Sequence, residues 1–133
     1  MKKLSFVFLF FVAFTGTLSA QDVDTTIFIK VDIEAQFPGG ENEWNKYVMQ
    51  TLEKKIDKLV KDKKSSGTCE MQFIVSKDGS LSNIEALTLK NSLLAKLLTD
   101  ALKKSPQWLP TQQNGKPVKA WRRQKVTFRP PVD

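Results

Sequence analysis

The chain has 133 residues, of which 41% are hydrophobic and 26% charged, the balance of one folded domain rather than of a disordered tail. It contains no histidine and a single cysteine, Cys69. Those two counts exclude Ser-His-Asp and Cys-His catalysis, histidine-containing zinc sites and any intrachain disulfide.

Lys2 and Lys3 precede an apolar run at 4–14 that holds five of the nine phenylalanines, Phe6, Phe8, Phe10, Phe11 and Phe14. Thr15, Gly16, Thr17, Leu18, Ser19 and Ala20 follow as a small-residue exit, in which Leu18 is the less usual member. This is the layout of a secretory signal peptide over residues 1–20, cut after Ala20. The run is shorter than the about 20 apolar residues that a membrane anchor needs. No cysteine follows it to accept a lipid. Cleavage leaves 113 residues (133 less 20) with 19 basic and 14 acidic side chains, a net charge of +5. That length suffices for one core without covalent staples.

Residues 21–36 begin with Asp22 and Asp24 and then alternate through Ile27, Ile29, Val31 and Ile33, which predicts an extended segment. Phe37-Pro38-Gly39-Gly40 stops it. Glu41 and Glu43 open a helix whose apolar face carries Trp44, Tyr47, Val48 and Leu52, with acids at the positive end of the dipole. Residues 53–64 set six lysines and three acids around Ile56, Leu59 and Val60, the spacing of an amphipathic helix with a wet basic face. Ser65-Ser66-Gly67 ends that helix.

Cys69, Met71, Phe73 and Val75 alternate with polar or outward residues, as in a strand with one buried face. By this phase Cys69 is a buried small hydrophobe rather than a reactive thiol. Lys77-Asp78-Gly79-Ser80 supplies a hairpin turn, and residues 81–89 return as a second strand with Ile84 and Ala86 inward. Asn91 or Ser92 caps a further helix that runs to Ser105, striped by Leu93, Leu94, Leu97, Leu98, Ala101 and Leu102. Pro106 stops it. Gln107-Trp108-Leu109-Pro110 crosses to a turn at Asn114-Gly115-Lys116-Pro117, and residues 118–128 read as a last strand. Trp44 belongs to the core by its helical phase, and Trp108, between two prolines, pins the crossing loop.

Helix, strand, strand, helix, strand predicts an α+β domain, a three-stranded antiparallel sheet with two helices packed on one face. The last strand cannot follow the second by a hairpin, so it lies at one side of the sheet and leaves an edge to be protected or used. Its basic residues deter self-pairing, while an acidic extended segment can still add to it.

Five strings in order, Phe37-Pro38-Gly39-Gly40-Glu41, Lys77-Asp78-Gly79, Ser105-Pro106-Gln107-Trp108-Leu109-Pro110, Asn114-Gly115-Lys116-Pro117-Val118 and Val126-Thr127-Phe128-Arg129, resemble the C-terminal domain of TonB-type energy transducers. The resemblance covers about residues 37–130, within an expected domain of 37–133. It implies a periplasmic domain that binds the TonB box of an outer-membrane transporter as an added strand, along the counterpart of residues 119–128. Full transducers of that family also have a membrane helix docked on the ExbB–ExbD motor and a proline-rich spacer. This sequence departs from that plan. It shows no retained membrane helix, residues 21–36 contain no proline, and the family's Tyr-Pro stands here as Ile56-Asp57 or nearby, which predicts a longer helix before Gly67. In the last strand, even-numbered positions face inward as Val118, Ala120, Val126 and Phe128, but Arg122 and Gln124 interrupt them. A bulge near Arg122 is the expected repair.

The first functional expectation is therefore a peptide-capturing module with Lys119, Trp121, Arg122, Arg123, Lys125 and Thr127 as partner-binding residues. Trp121 is its aromatic anchor, because alternation points it away from the core. The alternatives are a self-associating or scaffolding protein, including a homodimer, and a basic module for anionic envelope surfaces. The latter rests on eight basic residues (Lys103, Lys104, Lys116, Lys119, Arg122, Arg123, Lys125, Arg129), with Trp108 and Trp121 as stacking platforms. No catalytic, cofactor or metal site is expected, since close acid pairs such as Glu41 with Glu43 and Asp22 with Asp24 sit better as helix-start or solvent charges and no nucleophile-base set can be assembled without histidine. Export argues against a nucleic-acid partner.

Overall fold

The computed structural model describes residues 32–132. The expected signal peptide and most of the segment 21–36 lie outside the described residues. From Asp32 the chain runs extended to Gln36 and makes two isolated bridges, Ile33 with Gln112 and Gln36 with Leu109. The Phe37-Pro38-Gly39-Gly40 stop then turns the chain, with Gly39 and Gly40 at φ 90 and 89.

Helix α1 spans Glu41–Glu53 and buries Trp44, Val48 and Leu52, the stripe that the sequence sets on one face. The single helix expected over 53–64 does not form. The chain makes a four-residue α2, Ile56–Leu59, then a 3-10 turn, Lys63–Ser65. Only Leu59 of its apolar trio is buried, whereas Ile56 and Val60 are exposed. The physical reason lies across the chain. Asp62 Oδ2 accepts from the backbone N–H of Leu93 at 2.7 Å and from Ser65 Oγ at 2.6 Å, and Ser65 Oγ accepts from the N–H of Leu94 at 2.9 Å. Helical continuation would carry both side chains away from these partners.

Strand β1 (Gly67–Val75) shows the predicted burial of Cys69, Met71, Phe73 and Val75. It turns through Gly79, at φ 91, into β2 (Leu81–Ala86). Helix α3, Leu93–Lys104, is capped by Ser92, whose Oγ accepts from the N–H of Ala95 at 3.0 Å. With Leu93 and Leu94 capped by Asp62 and Ser65, the first three N–H groups of α3 all have side-chain acceptors. Its buried residues are Leu94, Ala95, Leu98, Ala101 and Leu102.

Thr111–Gln113 (β3) and Lys116–Val118 (β4) pair as a small hairpin around Asn114 and Gly115, and the last strand expected over 118–128 is interrupted at Lys119, so that Val118 ends β4 and β5 runs Ala120–Phe128. The main sheet has the order β2-β1-β5, antiparallel throughout. This is the expected α+β architecture with the last strand at one side. Its centre is aromatic. Trp108 stands edge-on to Phe73, with centroids 5.1 Å apart, and also meets Phe37 and Trp44 at 5.8 and 5.5 Å. Trp108 thus pins the crossing loop to β1 through Phe73, and Trp44 is core, as the sequence predicts.

Candidate functional site

Strand β5 keeps one register along all nine residues, from Gly67 opposite Phe128 to Val75 opposite Ala120. The bulge expected near Arg122 is absent. Arg122 and Gln124 do face inward, in register with Phe73 and Met71. Gln124 is buried beneath the helices. The Arg122 guanidinium reaches past the sheet, where Nε donates to the Ala35 carbonyl at 2.7 Å and Nη1 to the carbonyl of Arg123. The irregularity lies instead on the other side of β1, where the pairing with β2 shifts between Gln72 and Ile74.

Of the six residues expected to bind a partner, four share the open face of β5: Trp121, Arg123, Lys125 and Thr127. Trp121 is 54% exposed, so its indole is available. Thr127 Oγ1 lies 2.8 Å from Thr68 Oγ1 on β1, and Arg123 Nη1 stands 3.7 Å from Glu70 Oε2. Lys125 makes no ion pair among the described residues. Lys119 sits at the break before β5, beside the Ser76–Ser80 turn. Arg122 does not join this face, for it ties the N-terminal segment down.

The basic-patch alternative loses two of its parts. Trp108 is 2% exposed and cannot stack on a ligand, and the Arg122 guanidinium is spent on backbone carbonyls.

The border of β5 that faces away from β1 has no backbone hydrogen-bond partner among the described residues. Beside it runs an open groove of about 220 Å³ between α1 and β5, lined by Asn45, Val48, Met49, Leu52, Lys125 and Val126. Met49 is 58% exposed there. Reading from the sequence missed Met49. The signal was present, since Met49 is an apolar residue one position outside the buried stripe of α1, on the flank that meets the sheet.

Cys69 is fully buried, with Sγ 3.4 Å from the Thr88 carbonyl, and burial pushes its thiol up to about 11, as suits a core residue. Tyr47 donates its hydroxyl to the Ala101 carbonyl at 2.7 Å, joining α1 to α3, and burial raises its phenol. Glu41 and Glu43 are exposed, and Glu43 pairs with Lys46 at 3.3 Å. No group of three or more potential metal ligands occurs among the described residues.

Compared with known protein families, residues 58–130 match the model described as the Gram-negative bacterial TonB protein C-terminal. No curated protein and no solved structure gives a match beside it. The match starts at Lys58, so it takes in all three strands of the sheet, α3 and the β3-β4 hairpin, and it ends just past β5. Matched over more than half its length, in a sheet with the expected strand order and helices, the chain belongs to the TonB C-terminal family.

Proposed function

We propose that this domain works in the periplasm and captures an extended segment of an envelope protein as a fourth strand along β5, the TonB box of an outer-membrane transporter being the segment its family implies. One contrast carries the reading. The sheet has two borders, and only one is fit to accept a strand. The β2 border is irregular, with a register shift opposite it and Asn83 held at φ 52. Such distortions block edge pairing. The β5 border is regular over nine residues and has no backbone partner among the described residues, its one side-chain contact being the Arg122 guanidinium on the Arg123 carbonyl.

The surroundings of that border support the same role. An added strand gains main-chain hydrogen bonds from β5 and specificity from alternate side chains. Those on its inner side reach the groove at Val48, Met49 and Val126, and those on its outer side meet Trp121, Arg123 and Lys125. The partner that fits alternates apolar and acidic or neutral side chains. The cations steer it more than they hold it, and that share weakens with salt.

The test is a titration of isotope-labelled protein with peptides from transporter plugs, followed by amide resonances. Capture along β5 moves the amides of residues 120–128 and leaves those of β2 in place. A photoreactive residue at position 121 should then crosslink a transporter in whole envelopes. Saturable binding that moves β2 or α3 but not β5 refutes the assignment. Self-association is the competing use of a free border. It would appear as a mass that rises with concentration in light scattering, abolished by a proline within β5.

A further inference from the structure

The broken segment between α1 and β1 is a second, separate surface. It carries Lys54, Lys55, Lys58, Lys61, Lys63 and Lys64, all exposed, and none makes an ion pair among the described residues. Three acids share the segment. Asp62 is turned inward onto Leu93 and Ser65, which leaves Glu53 and Asp57 as the outward ones. Ile56 and Val60 stand among these lysines at 41% and 39% exposure, while Leu59 between them is completely buried and fixes the segment to the core.

This is an unusual way to spend two branched aliphatic residues. An ordinary solvated face carries polar residues at such positions, and an amphipathic helix packs its apolar residues inward. Here the turn enforced by Asp62 leaves Ile56 and Val60 exposed in a stretch that carries six exposed lysines. A nucleic acid would want aromatic platforms, and the segment has none. An acidic protein would be met by the lysines but offers no particular use for the aliphatic pair. A bilayer interface uses both. Phosphates meet the lysines, and short apolar side chains dip below the headgroups.

We propose that residues 54–64 form a docking face for an anionic phospholipid bilayer, which holds the domain against a membrane surface independently of strand capture at β5. Clusters of four to about eight lysines act in this way, each contributing roughly fivefold in partitioning. Lys54 and Lys55 line a groove with Asp100 and Lys104 of α3, apart from the groove beside β5.

The experiment is flotation of the full chain with vesicles of phosphatidylcholine alone and of phosphatidylcholine mixed with phosphatidylglycerol. The neutral vesicles subtract any contribution of the apolar run at 4–14. The expected result is a phosphatidylglycerol-dependent increment that falls when salt is raised from about 50 to about 300 mM. K54Q/K55Q/K58Q/K61Q should lower that increment by at least about a hundredfold, and I56S/V60S should lower it severalfold at constant charge. Because all six positions are exposed, circular dichroism should be unchanged in both variants. Equal binding to the two vesicle types overturns the proposal. So does an increment that survives the lysine replacements, or one indifferent to I56S/V60S. Peptide binding at β5 is measured in the same variants without lipid, and its retention separates failure here from failure of the strand-capture reading.

Discussion

Arg122 Nε donates to the Ala35 carbonyl at 2.7 Å, and through this bond the border strand holds the extended segment that precedes α1. Ala35 has no exposed surface, and its N–H donates to Thr111 Oγ1 at 3.2 Å. Both backbone groups of one buried residue therefore depend on side chains from the chain's other end. R122A leaves a buried carbonyl without its donor, a loss of about 1–3 kcal/mol, read as a lower midpoint in urea unfolding. W121A, one residue away on the open face, should change stability by no more than about 0.5 kcal/mol while weakening peptide capture. Equal midpoints for the two variants would show that the inward and outward assignments of β5 are wrong.

The turn between β1 and β2 is locked to the crossing loop. A side chain at Gly79 would place its Cβ 2.2 Å from the Trp108 carbonyl, at φ 91. The Trp108 N–H also donates to the Gly79 carbonyl at 2.9 Å. G79A therefore combines about 1–2 kcal/mol of left-handed backbone cost with displacement of a tryptophan at the centre of the core. G115A is the control, since nothing lies within 4 Å of its Cβ and its φ is 77. It should lose only the backbone share. Thermal unfolding with tryptophan fluorescence distinguishes them, and G79A alone should shift the native emission.

How much of this was legible depends on whether a feature was local. The alternation from Cys69 to Val75, the stripe of α3 and the place of Trp108 between prolines all follow from neighbours in sequence, and they appear as read. The failures are long-range. Nothing local in 53–64 says that Asp62 is claimed by the N–H of Leu93, 31 residues away, so periodicity reads through the break. Likewise, Arg122 on the inner face looks like a phase error that needs a bulge until Ala35, 87 residues away, offers its carbonyl. The outward residues of β5 could be placed by alternation. The groove at Met49 required knowing which flank of α1 meets the strand.

Cys69 offers a direct check of the core. With no exposed surface and its thiol pushed up to about 11, it presents almost no thiolate at pH 8 and no path for a reagent. Labelling by iodoacetamide or a disulfide reagent should proceed only as fast as the domain opens, and should become rapid in denaturing urea. Prompt stoichiometric labelling of the native chain would contradict the burial of β1's inner face.

The cap on α3 gives the pH dependence. Hydrogen bonds from Ser65, and then from the N–H groups of Leu93 and Lys64, hold the Asp62 carboxyl below the ordinary carboxylate value. A carboxyl depressed in the folded state stabilises the fold at every pH above its unfolded value. That contribution is lost as pH falls through the folded value. The stability difference between the native chain and D62A should therefore be constant from neutral pH down to about 5 and narrow below about 4, as the unfolded-state carboxyl protonates. S92A provides a comparison, because its hydroxyl also caps α3 but carries no charge. It should lose about 1 kcal/mol, equally at pH 7 and pH 3.5. If D62A also keeps a constant deficit across that range, the side chain serves α3 as a neutral acceptor, and its ionised form has no part in bending the lysine segment.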